Sequence, residues 1–206
     1  GGLLAVNAHA CAICALAPPS GLETCSSGWT TAGTWEEWLG AMELVSSFPY
    51  MYIAMYAGAA APLLSVLRIP GFVVDFSGET SGGKTTALRF SASVWGRPAE
   101  SHPAAMSSWD ATKVWIERTS GFLQTLPLIL DETKRARHPR IVRDVIYDFC
   151  QGQGRGRGAV DGTRHTESWR SILISSGEGA ATSFSQDAGT RARVLSLKGK
   201  PLGSDV

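Results

Sequence analysis

The chain has 206 residues, 44% of them hydrophobic, with 19 Lys and Arg against 18 Asp and Glu for a net charge of +1. That length and apolar content suit one compact domain with a real core. Near-neutrality excludes nucleic-acid binding by bulk electrostatics, so any such contact must come from a local cluster of cations.

Gly1 opens the chain without Met and without a basic n-region, so no secretory signal is expected and the chain reads as a piece of something longer. Four cysteines are present: Cys11, Cys14, Cys25 and Cys150. Cys11-x-x-Cys14 has redox or half-zinc spacing, but no second pair completes a zinc site. These residues read instead as small buried side chains in an Ala-rich helix of a protein kept in the reducing cytoplasm. Residues 1–34 are poor core material and are expected to form a peripheral helix and a loop.

Thr34 followed by Trp35-Glu36-Glu37 reads as a helix N-cap with acids in the first turn. Trp35, Trp38, Leu39, Met42 and Val45 recur at helical spacing, and Pro49 is expected to end that helix. Leu44–Leu67 carries no charge, which raises a membrane span. Pro49, Pro62 and the Gly/Ala/Ser content interrupt it, so this run is expected as a buried helix packed beside the main domain, within an N-terminal helical segment over 35–68, with no membrane contact.

Gly71–Phe76 is an apolar, β-branched run that reads as a strand. Gly78-Glu79-Thr80-Ser81-Gly82-Gly83-Lys84-Thr85 then spells G-x-x-x-x-G-K-T, the phosphate-binding P-loop pattern. Thr86–Trp95 reads as the helix the motif requires. Glycines let the backbone approach phosphate without a Cβ in the way, and successive N–H groups face the anion. Lys84 would reach the β- and γ-phosphates of ATP and Thr85 would put its hydroxyl on Mg²⁺, the nucleotide-binding set extending to Thr86.

Further along, Ala104–Trp109 is expected as a strand, and Asp110 or Thr112 as the cap of a helix Lys113–Thr119 closed by Gly121. Leu126–Glu132 is an apolar strand ending in Asp-Glu, the Walker B pattern. Asp131 would hold Mg²⁺, directly or through water, and Glu132 would act as general base toward the attacking water. The distance between the two motifs implies a strand inserted between their strands, as in AAA+ and RecA-like proteins. Thr133–Arg143 is cation-rich and reads as a solvated face, followed by an amphipathic helix over Ile141–Cys150.

Gly152–Gly158 and Asp161-Gly162 point to a hairpin whose cations are Arg155, Arg157, Arg164 and His165. In a central channel it would grip phosphates without reading bases; as an exposed loop it would do nothing. Trp169–Ser176 is a third apolar strand ending in hydroxyls, with Ser175 or Ser176 at a sensor position. Arg191 or Arg193 could serve a neighbouring subunit as an arginine finger. The chain ends soon after, so a lid domain is not expected within it.

Ala61–Leu64, Gly78–Thr85, Ser93–Gly96, Leu126–Glu132, Gly152–Arg157, Trp169-Arg170, Ser176–Glu178 and Gly189–Arg193 together resemble the DUF927 family of plasmid, phage and mobile-element ATPase domains. The resemblance runs from about Trp35 to Leu197. It implies an α/β P-loop NTPase fold of the AAA+ (ASCE) type, a parallel sheet flanked by helices with an N-terminal helical segment. It also implies a helicase-like ring or hexamer on DNA, with Lys84 and Thr85 matching Walker A and Asp131 and Glu132 matching Walker B; the Gly/Arg hairpin makes single-stranded DNA the expected partner. By the same resemblance Ser175 or Ser176 matches the sensor and Arg193, ahead of Arg191, the terminal arginine. Arg155 stands where a Lys is expected in the Gly/Arg loop, which keeps the charge. A non-motor, nucleotide-dependent DNA-binding or assembly module shares all these residues. A small-molecule kinase fits the Asp131-Glu132 pair less well.

Overall fold

A computed structural model describes residues 5–6, 13–14, 23–156, 158–159, 162–163, 166–185 and 187–203. Its centre is a five-stranded, wholly parallel sheet. The strands are β1 (Phe72–Ser77), β2 (Ser107–Ser108), β3 (Leu128–Asp131), β4 (Ile172–Gly177) and β5 (Val194–Lys198). Their spatial order is β2-β3-β4-β1-β5. β4 therefore lies between the P-loop strand and the Asp-Glu strand, where the sequence spacing placed an inserted strand.

Register assigns the side chains to two faces, because successive residues alternate across a strand. Val74 pairs with Ile174 and Leu195, and Ile129 with Ile174. That face packs with Phe76 and Ile172 against α2 (Pro49–Ala60) and α4 (Lys84–Ala92). The opposite face carries Val73, Leu128, Leu130 and Leu173, packed on α5 (Lys113–Leu123) and α6 (Pro139–Gln151). Helices on both faces are what a parallel sheet requires, since neither side can be left to water.

α1 (Trp35–Leu44) begins with a reciprocal capping box. The Thr34 hydroxyl accepts from Glu37 N–H at 3.2 Å, and the Glu37 carboxylate accepts from Thr34 N–H at 2.8 Å. The helix stops at Leu44, short of Pro49. Pro49 opens α2 as its first residue instead, where a missing N–H costs nothing. The small face of α2 then presses on the P-loop helix. A Cβ on Gly58 would meet Ser91 Oγ at 2.4 Å, and Trp95 Nε1 donates to Gly58 O at 2.8 Å. α3 (Leu63–Leu67) leads into β1. No described helix is long and apolar enough to cross a membrane.

Thr112 is the cap of α5, accepting from Trp115 N–H at 3.2 Å. Gly121 does not close α5 but lies buried inside it, because Glu167 occupies the space a side chain would need there. The expected strand over Ala104–Trp109 shrinks to Ser107–Ser108. Near the N-terminus, Ala5–Val6 pairs antiparallel with Ile13–Cys14, so the backbone at Cys14 is extended rather than helical. Cys11 lies outside the described residues. Within the supposedly peripheral region, Cys25 is buried and Gly28 O accepts from Arg97 N–H at 2.8 Å. A Cβ at Gly28 would collide with Ala104 backbone, so this loop is pressed onto the domain.

Candidate functional site

All five strands run in one direction, so their C-terminal ends share one end of the sheet. The loop after β1 meets the tips of β3 and β4 there. The loop Gly78–Gly83 needs its glycines: Gly78 has φ +149° and a Cβ on it would reach Gly199 O at 2.7 Å. Gly83 has φ +88°, and its missing Cβ leaves room for Leu202.

Lys84 opens α4 and is only 7% exposed. Its ammonium donates to Gly78 O at 2.8 Å and Glu79 O at 2.6 Å, so the charge is held in the mouth of the loop by neutral carbonyls alone. Thr85 Oγ1 donates to the Asp131 carboxylate, at 3.2 Å to Oδ1 and 3.1 Å to Oδ2. Ser176 Oγ donates to Asp131 Oδ1 at 2.5 Å and accepts from Glu132 N–H at 2.9 Å. One continuous chain of hydrogen bonds thus joins Thr85, Asp131, Ser176 and Glu132. It runs across α4, β3 and β4, three elements distant in sequence.

Strand alternation explains which serine takes part. Ser176 shares the face of Asp131 and α4. Ser175 points to the other face, where it is fully buried and accepts from Trp109 Nε1 at 3.0 Å. Glu132 follows the strand tip with φ +61°, a left-handed conformation costly for a residue with a Cβ. Its carboxylate accepts from Lys134 N–H at 3.1 Å, capping the short turn Thr133–Arg135.

Two neighbours of the loop lie outside the phosphate- and metal-binding motifs. Glu178, just beyond β4, accepts from Thr80 Oγ1 at 3.0 Å and pairs with the Lys134 ammonium. Lys134, with Thr80 assisting, holds the Glu178 carboxyl below the usual carboxylate range. The sequence shows these residues only as a solvated cation and a turn; their position at the tips of two core strands was the available signal. The second is Asp75, an acid inside the apolar β1. It is fully buried, accepting from Ala181 N–H at 2.7 Å and Ser196 Oγ at 3.0 Å, while its Oδ1 has no partner. Burial pushes its carboxyl above the ordinary range despite these bonds.

The donor set suits a metal-bound triphosphate. A buried ammonium satisfied only by carbonyls, and a hydroxyl and a carboxylate already aimed at one point, are what Mg²⁺ and phosphate oxygens take up. Among the described residues no three His, Cys, Asp or Glu form an all-protein metal cage. Mg²⁺ here would draw its remaining ligands from phosphate and water.

Arg193 is not part of this cluster. Its carbonyl accepts from Val73 N–H at 2.9 Å, at the start of β1. The P-loop lies past the other end of that strand, about 20 Å away at ~3.3 Å per residue. Arg191 ends the short helix α7 (Ala188–Arg191) and is exposed. Gly158–Ala159 pairs antiparallel with Gly162–Thr163, so a hairpin stands where one was expected. Arg155 is exposed at its base, 3.7 Å from Asp148. Arg157, Arg164 and His165 lie outside the described residues.

A family model described as a domain of unknown function, DUF927, matches residues 16–169. Among solved structures, one of SCCmec type IV Cch, described as an active helicase, is similar with a TM-score of 0.69 and 23% identity. The match covers 85% of this chain and 33% of that one, so the chain spans about a third of its length. No curated protein matches.

Proposed function

The chain belongs to the DUF927 family, and on that premise we propose that it is an ATP-hydrolysing, helicase-like motor domain acting on DNA in the replication or mobilisation of a mobile element. The observation that carries the reading is the hydrogen-bonded chain from Thr85 through Asp131 and Ser176 to Glu132, laid beside Lys84 and the glycine loop. The likeness of fold to a structure of an active helicase supports it.

In this reading the loop N–H groups and Lys84 bind the β- and γ-phosphates of ATP. Thr85 and Asp131 would hold Mg²⁺, which would supply charge neutralisation at the phosphates. Glu132 takes a proton from the attacking water, and Ser176 fixes both the Asp131 carboxylate and the Glu132 backbone. The unfavourable φ at Glu132 fits a residue whose direction matters more than its comfort. Arg191 or Arg193, at the far end of the sheet, serves the nucleotide of the next copy in a ring, a hexamer being the natural closed form. The hairpin cations Arg155, Arg157 and Arg164 grip single-stranded DNA.

A second reading is a nucleotide-dependent assembly or DNA-binding module. It is favoured by the Glu132 carboxylate being turned onto Lys134 N–H. One experiment separates the two. ATP turnover and binding of a fluorescent ATP analogue are measured with and without single-stranded DNA, for the parent chain and Glu132→Gln. The motor reading expects DNA-stimulated turnover in the parent, lost by about 10²-fold or more in the variant with nucleotide binding kept. Nucleotide binding without turnover in the parent establishes the assembly module. Turnover that survives Glu132→Gln removes Glu132 as the base.

A further inference from the structure

The N-terminal ends of the strands hold a second concave site, remote from the P-loop. It is a cleft of about 810 Å³ whose rim carries Arg68, Arg170 and Arg193, with Gln124, Gln153 and Ser168 between them. Among the described residues no Asp or Glu lines it. Among the described residues, none of the three arginine side chains makes a hydrogen bond or an ion pair. Arg68 caps α3, Arg170 lies two residues before β4, and Arg193 lies directly before β5. Parallel strands starting at one level bring the three together although more than a hundred residues separate the first from the last.

The cations have a local competitor that must be weighed. α3, α5 and α6 all end at this cleft, at Arg68, Gln124 and Gly152. A helix C-terminus counts as about half a negative charge at most, and less for the single turn of α3. Three full positive charges exceed three such ends, so the cleft keeps a net positive field. Asp187, the acid that feels Arg193, does not line it. The Cys150 thiol in the wall is pushed up to about 11 by burial, so it adds no anion there.

We propose that this cleft binds the phosphodiester backbone of single-stranded nucleic acid, as a continuation of the hairpin's track. Its lining makes the link. Gln153 and Ser168 pair as a bridge at the root of the hairpin and also line the cleft, and exposed Arg155 follows two residues on. A strand gripped by the hairpin passes directly onto Arg170 and then Arg68. The amides and hydroxyls between the arginines donate to phosphate oxygens and read no base. The proposal rests on the reading of the chain as a nucleic-acid motor, and it assigns a role to Arg68, which no motif marks, and to Arg170, which the family resemblance marks without a role.

The test uses the 206-residue chain and a fluorescent 20-mer of deoxythymidine, by anisotropy from 50 to 300 mM NaCl. The double variant Arg68→Ala/Arg170→Ala is compared with the parent and with Arg140→Ala, an exposed arginine elsewhere. Each phosphate contact on a single strand contributes about 0.7 to the log–log salt slope. The double variant should therefore lose about 1.4 from the slope and roughly tenfold in affinity at 150 mM salt. Binding of a fluorescent ATP analogue should not change, which reports an intact fold and P-loop. An unchanged slope, or an equal loss in Arg140→Ala, overturns the cleft while leaving the motor reading in place. Loss of concentration-dependent ATP turnover with DNA binding intact overturns it in favour of a neighbouring copy's nucleotide as the occupant. If the parent binds no single strand at any salt, both the cleft and the DNA reading fall.

Discussion

Ser175 and Ser176 are adjacent, both buried, and chemically identical, so exchanging each for alanine tests the site with a built-in control. Ser176→Ala removes a charge-assisted bond to Asp131 Oδ1 at 2.5 Å and leaves Glu132 N–H without its acceptor. A bond to a charged group is worth about 1.5–3 kcal/mol and an ordinary one ~1 kcal/mol. Asp131 and Glu132 are only half-buried, so water recovers part of this and the net cost should be about 2 kcal/mol. Ser175→Ala instead orphans the indole N–H of fully buried Trp109, with a desolvation penalty of about 1–3 kcal/mol. The two variants should therefore unfold in urea at similar midpoints, each about 1 M below the parent for a slope of ~2 kcal/mol per molar. Their turnover should differ sharply. Loss of the residue orienting both Asp131 and Glu132 should lower ATP hydrolysis roughly 10–100-fold, by analogy with outer-shell partners of metal ligands. Ser175→Ala should stay within about threefold of the parent, because its hydroxyl faces the other side of the sheet. Equal turnover in the two variants at matched folded fraction would refute the assignment of Ser176 to the site.

Asp75 has a folded-state pKa raised above the ordinary aspartate value of 3.8, chiefly by burial. The folded chain thus holds a proton that the unfolded chain has released, so this group's contribution is complete below the aspartate range and declines as pH rises through the raised value. Asp75→Asn should gain stability relative to the parent as pH goes from 4 to 8 in urea unfolding; a difference that is flat or of opposite slope sinks the account. Glu132→Gly and Glu132→Ala both remove the cap on Lys134 N–H, but only glycine is at ease at φ +61°. The glycine variant should be more stable by about 1 kcal/mol, and an alanine variant of equal or greater stability would mean the backbone there is unstrained.

Local chemistry in the chain was enough for the glycine-rich loop between a strand and a helix, the Asp-Glu strand tip and the Thr34 N-cap, because each depends on neighbours a few residues apart. The spacing of Gly78–Thr85 and Asp131-Glu132 pointed to one strand between their strands, but which strand fills that place and which two take the edges came from the sheet. Boundaries set by packing were not legible. Pro49 reads equally as the end of one helix or the start of the next, and Gly121 reads as a stop until Glu167 fills the space beside it. The choice between Ser175 and Ser176 needed the sheet, because alternation decides which hydroxyl faces Asp131 only after the register with β3 is known. Glu178, Lys134 and the three-arginine cleft likewise arise where parallel strands begin or end together. Side chains far apart in the chain become neighbours there for a reason no local pattern records: strands running the same way align all their tips at one end and all their starts at the other.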